Sequence, residues 1–220
     1  MNCMHPRRAH FRAARLISAA WLTLLIGACS PDSPHRERAT APDTFLTHFE
    51  TSQGTFTIEV TRAWAPRGAD RFYDLVRHGY YDDARFHRVV LGFIVQWGIA
   101  GDPETTAAWI DDTIPDDTAR VASNTRGAIA FAFTEPHTRS TQVYINLVDN
   151  TRLDDQGFPP FGRVVEGMDV VDAIYGGYGE ESGGGVRRGQ QDSLVLQGNA
   201  YLDRAFPNLD RIVRTSLELR

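Results

Sequence analysis

The sequence has 220 residues, 42% of them hydrophobic and 23% charged, with a formal net charge of −5. That length and composition support one sizeable core with short appendages. All 23 basic residues are arginine, outnumbered by 28 acids and gathered into no basic stripe, which argues against a nucleic-acid partner.

Residues 1–28 read as an export signal. Arg7, Arg8, Arg12 and Arg15 make a positive start without an acid, and Leu16–Ala28 is an apolar run. A run of that length is shorter than the ~20 residues of a membrane span and fits a signal-peptide core. It ends in Ile26-Gly27-Ala28-Cys29, which resembles a bacterial lipobox, with Cys29 as the lipidated residue. The alternative is an ordinary signal peptide with an incidental cysteine. Removing residues 1–28 takes away four arginines and no acid, so the charge becomes −9. Cys3 leaves with the signal, so the mature domain is expected to hold neither a disulfide nor a cysteine nucleophile. Ser30 after the cysteine resembles lipoproteins sorted to the outer membrane, facing the periplasm. Residues 29–44, rich in proline and polar residues, read as a disordered tether.

The folded domain is expected over 45–198. Phe45–Thr51 and Thr55–Thr61 flank Ser52-Gln53-Gly54 as a hairpin. Ala65-Pro66 opens a helix reaching His78, with Phe72, Leu75 and Val76 on one face and Gly79 as its stop. Phe86–Val90 and Phe93–Trp97 read as short strands around Leu91-Gly92. Asp102–Asn124 reads as loop, with Asp111-Asp112 and Asp116-Asp117 a solvated acidic face. Ala128–Phe133, Gln142–Leu147 and Phe161–Val165 are expected strands, and Met168–Ile174 a helix. Gly176–Gly185 reads as a mobile loop and Leu194–Gln197 as a last strand. Many short strands with two clear helices predict a mainly β fold, a closed antiparallel barrel with helices on its ends. Residues 199–220 are expected to form a short C-terminal appendage, helical in part. Trp97, Trp109 and His87 are read as packing residues, His137 as exposed.

The stretch Phe86-His87-Arg88-Val89-Val90-Leu91-Gly92-Phe93-Ile94-Val95-Gln96 resembles the cyclophilin core motif. Gly127–Asn146, and Leu153-Asp154 through Phe161-Gly162 to Gly167-Met168, resemble two further blocks of that family in the same order. The resemblance implies a cyclophilin-like barrel over 45–198 and peptidyl-prolyl cis–trans isomerase activity on proline-containing polypeptides, with no cofactor and no metal. It implies Arg88 as the catalytic residue. Phe93, Ile94, Val143 and Leu153 would line the proline pocket, and Gln96, Ala132, Phe133 and Gln142 would hold the peptide chain. Arg152 stands where some members carry a tryptophan, and Phe158 is the stand-in for an expected histidine.

The chemistry agrees. Amide resonance sets a barrier of ~18–20 kcal/mol to rotation about a peptide bond. For X-Pro the two isomers are close in energy yet exchange over tens to hundreds of seconds. A guanidinium beside the prolyl nitrogen stabilises the lone pair that appears as the nitrogen pyramidalises. No bond breaks, so neither nucleophile nor metal is required. A non-catalytic proline-peptide-binding or chaperone module using the same groove is the other class this sequence admits.

Overall fold

A computed structural model describes residues 38–118, 120–184 and 191–219. The export signal, Cys29 and most of the tether lie outside these residues. Among the described residues no helix is long and apolar enough to cross a membrane.

The chain opens with β1 (Thr44–Thr51) and β2 (Gly54–Thr61), an antiparallel hairpin in which Phe45, Phe49, Phe56, Ile58 and Val60 are buried. α1 (Pro66–Arg77) has proline in its first turn, where a missing N–H costs nothing. Asp117 accepts from the next two amides, Arg67 N at 3.0 Å and Gly68 N at 2.8 Å, and so caps the helix from a distant loop. Its Phe72, Leu75 and Val76 face inward as the periodicity predicts.

β3 (Arg88–Val90) and β4 (Ile94–Trp97) follow, then a short α2 (Pro103–Ala107), β5 (Ala128–Phe131), β6 (Val143–Asn146), β7 (Pro160–Glu166) and α3 (Met168–Ala173). α2 falls in a stretch expected to be loop. Its signal was local: Asp102 before Pro103 accepts from the amides of Glu104 and Thr105, a side-chain cap.

The sheet is mainly antiparallel and eight-stranded, in the order β3-β4-β6-β5-β7-β2-β1 and then β8 (Ile212–Leu219). It curls around the aromatic core of Phe49, Phe56, Phe72, Trp97 and Phe161. The two edge strands, β3 and β8, share no ladder. Among the described residues one bridge, Arg85 to Arg211, links the segments that lead into them, so in place of the expected closed barrel the strands form a curled open sheet.

The C-terminal region departs most from expectation. Leu194–Gln197 is not a strand but part of α4 (Asp192–Ala205), which kinks at Gly198. Gly198 has a φ of 52°, and a Cβ there would lie 2.2 Å from the Gly101 carbonyl. Leu194 and Leu202 of α4 bury Ile99 in a small cluster of their own. Asp203 grips Arg85 through two hydrogen bonds of 2.9 and 3.0 Å, tying α4 to the start of β3. The expected appendage instead supplies β8, which pairs with β1 along its length. A register shift at Glu50/Thr51 breaks its alternation, leaving Ile212 and Thr215 buried three residues apart and hiding the strand from a period-two reading.

The acidic pairs do not form a solvated face either. Asp112 pairs with Arg38 and with buried Arg71, and Asp116 with buried Arg139.

Candidate active site

The pleat of four strands builds the site. Successive side chains alternate between faces, and the pairings Arg88–Gln96, Gln96–Tyr144 and Tyr144–Ala130 place these residues side by side on one face. Val89, Val95, Trp97, Ile129, Phe131, Val143 and Ile145 point to the other face and into the main core. The β3–β4 turn is tight enough to require Gly92 at a φ of 71°, and it brings Phe93 beside the start of β4.

Arg88 is 8% exposed. Its Nη1 donates to Gln96 Oε1 at 3.0 Å and its Nη2 to Glu180 Oε1 at 2.7 Å. Its guanidinium carbon lies 5.7 Å from the centre of the Phe93 ring. Arg152 lies over the same ring at 4.9 Å, so the residue in the expected tryptophan position also packs on Phe93.

Beside this guanidinium lies an apolar cluster of Ile94, Ala130, Tyr144 and Leu153, with Phe93, Ala132 and Phe158 packed against it. Phe158 packs at a tilt against Phe133 at 4.4 Å and meets Tyr144 edge-on at 5.9 Å. Buried Arg139 lies 3.9 Å over Phe133, and burial lowers its pKa from the ordinary arginine value. Asn124 holds the cluster from beneath. It accepts from the Tyr144 hydroxyl at 2.9 Å and donates to Asp154 at 2.8 Å and to the Phe158 carbonyl at 2.7 Å. Burial pushes the Tyr144 phenol up, so it remains a neutral donor.

Of the expected residues, Arg88, Phe93, Ile94, Gln96 and Leu153 come together. Val143 does not: its side chain lies in the main core, and its neighbour Tyr144 occupies the pocket side. The signal was the strand's own period, because a groove-facing Gln142 requires position 144, not 143, to share its face. Gln142 accepts from Gln96 Nε2 at 2.9 Å. The Ala132 N–H donates to the Gln142 carbonyl at 2.9 Å. Ala132, Phe133, Gln96 and Gln142 line a cavity of about 410 Å³ next to the apolar cluster, together with Asp111 and Gln191.

Two site residues were missed. Gln191 precedes α4, Glu180 comes from a glycine-rich stretch read as a mobile loop, and no periodicity or motif marks either of them. The described part of that stretch carries a tight 3-10 turn, Glu181–Gly183, with Ser182 and Gly183 buried. His87, next to Arg88, is fully buried, and neither ring nitrogen finds a partner in hydrogen-bond geometry among the described residues. Burial lowers its pKa to about 4, so it is a neutral packing residue near pH 7.

Comparison with known proteins agrees with this geometry. Residues 46–192 match the family described as "Cyclophilin type peptidyl-prolyl cis-trans isomerase/CLD". The chain is 36% identical over 136 residues to peptidyl-prolyl cis-trans isomerase B of Escherichia coli, covering 58% of this chain and 82% of that protein. It is 35% identical over 153 residues to peptidyl-prolyl cis-trans isomerase cyp18 of Streptomyces antibioticus, covering 66% and 89%. Among solved structures, a cyclophilin-type isomerase of Cryptosporidium parvum superposes with a TM-score of 0.57 at 18% identity, covering 80% of this chain and 99% of that one. Cyclophilin AquaCyp293 of Hirschia baltica gives the same TM-score at 19% identity, over 81% and 75%. With a curled sheet of this order and an arginine held at the rim of an apolar pocket, the chain belongs to the cyclophilin-type peptidyl-prolyl cis–trans isomerases.

Proposed function

We propose that this chain accelerates X-Pro isomerisation in exported proteins as they fold, with Arg88 as its catalytic residue. The observation that carries the reading is the guanidinium itself, fixed by Gln96 and Glu180 beside the cluster of Ile94, Tyr144 and Leu153. Working at ~10² s⁻¹ or more requires removing roughly 5–6 kcal/mol of the rotational barrier. The proline ring sits in the apolar cluster, where excluding water strengthens any charge acting on it. Arg88 directs an N–H at the prolyl nitrogen as its lone pair develops, while the residue before proline turns. The peptide chain runs along Gln96 and Gln142 past Ala132 and Phe133, with the cavity beside them taking a substrate side chain.

The N-terminal sequence supports the cell envelope as the place of this activity. Cys29 after Gly27-Ala28 supports a lipid anchor, and Ser30 supports the outer membrane facing the periplasm. Several acyl chains on one cysteine give durable attachment, where a single chain binds marginally. The mass of the mature N-terminal peptide checks this, and an unmodified Cys29 removes the anchor from the reading.

The deciding experiment is a proline-isomerisation assay on the full chain beside Arg88→Ala. Wild-type acceleration with a loss of at least about tenfold in the variant, or about 1.4 kcal/mol, is expected. Peptide binding by both proteins without acceleration by either replaces the enzyme with a binding module.

A further inference from the structure

Arginine carries only donors, and this fact orders a chain of side chains across the groove. Arg88 donates to Gln96, which must turn its oxygen to the guanidinium and keep its NH₂ for the next link. Gln96 donates to Gln142 at 2.9 Å, Gln142 to Gln191 at 2.9 Å, and Gln191 to the Gly183 carbonyl at 3.2 Å. The chain ends there, on a group that can only accept. From the same turn Glu180 reaches back to the other Nη of Arg88 at 2.7 Å. The path is therefore a closed ring: Arg88, Gln96, Gln142, Gln191, Gly183 and, through the backbone of the turn, Glu180.

A second observation shows that the turn is seated on the arginine. A Cβ added to Gly183 would lie 3.0 Å from the Arg88 Cβ, tighter than most real packing contacts. The approach favours glycine, and it brings the turn that carries Glu180 against the Arg88 side chain.

We propose that Glu180 and Gln191 are positioning residues of the isomerase site. Glu180 fixes the fork of Arg88, and Gln191 orients Gln142 toward the peptide. The proposal rests on the isomerase reading. A free arginine side chain carries about 2 kcal/mol of rotamer entropy, and a fork already held on both Nη atoms need not be ordered during bond rotation. Links of one direction also polarise one another, so each strengthens the next. Each Nη keeps a second N–H, and the buried Nε–H has no partner among the described residues, so donors remain for the substrate.

The two residues act on different quantities. Arg88 meets the twisted transition state, whereas Gln142 holds the chain in all states. In an isomerisation assay on the full chain with a proline tetrapeptide, Glu180→Ala is expected to lower kcat about five- to tenfold with KM within about twofold. Glu180→Gln, which keeps an acceptor oxygen, should restore at least half of the wild-type kcat. Gln191→Leu should raise KM several-fold and leave kcat nearly unchanged. In an Arg88→Ala background Glu180→Ala should have no further effect. A Glu180→Ala protein as fast as wild type, or faster because the carboxylate competes with substrate, overturns the proposal. So does a Glu180→Ala loss that persists without Arg88. Failure of the isomerase reading looks different, since the wild-type chain itself would then not accelerate the reaction.

Discussion

The two faces of the β3–β4–β6–β5 sheet share a backbone and differ in what they do. On the core face, Val95, Ile129, Val143 and Ile145 meet the aromatic interior, where only volume and apolarity matter. On the groove face, Arg88, Gln96 and Tyr144 each make a directed hydrogen bond, and each sits opposite another site residue across a strand pair. Adjacent residues such as Val143 and Tyr144 therefore answer to different requirements, and strand parity decides which applies. Stability and activity should separate along the same line.

The largest expected effect lies on the core face. Ile145 is fully buried, and Ile145→Ala should lower stability by about 2–5 kcal/mol through lost transfer energy and a cavity. Denaturant unfolding reads the loss, while KM at low temperature stays within about twofold. The neighbouring Tyr144→Ala should instead raise KM several-fold, because it removes a wall of the apolar cluster. If both substitutions move KM alike, the faces are not independent.

A smaller effect sharpens the comparison through pH. His87 falls to about 4 in the folded chain from an unfolded value near 6.5. The unfolded state therefore binds the extra proton first. Stability is full above about pH 6.5, falls as the pH drops toward 4, and loses about 3 kcal/mol at most. Unfolding measured across that window should show the slope in wild type and a flatter curve in His87→Leu. An unchanged slope would assign the proton to another group.

The sequence made Arg88, Gln96 and the apolar residues around them readable because they lie within eleven consecutive positions on one hairpin. Local spacing sets their geometry. Tyr144 was misread by one residue although the strand was expected, since resemblance by motif does not resolve which face a position occupies. Glu180 and Gln191 were invisible for another reason. They reach Arg88 and Gln142 across 92 and 49 positions of chain, one from a glycine-rich turn and the other from the residue before α4, and no local pattern points from either to the groove. β8 escaped because its bulge interrupts the alternation by which strands are recognised. What depended on local period was legible. What depended on one distant segment meeting another was not.

The seam between β1 and β8 also sets an order in time. It joins distant positions such as His48 and Glu218, 170 residues apart along the chain. Contacts of such separation form slowly, because a long loop must close before they bring any gain. During synthesis β1 is made early and must wait for its outer neighbour, with one edge unpaired and open to strands of other chains. Gln191 reaches the groove only shortly before that last strand arrives. A prolyl isomerase thus completes its own fold late, and its nascent form is itself a chain in need of protection.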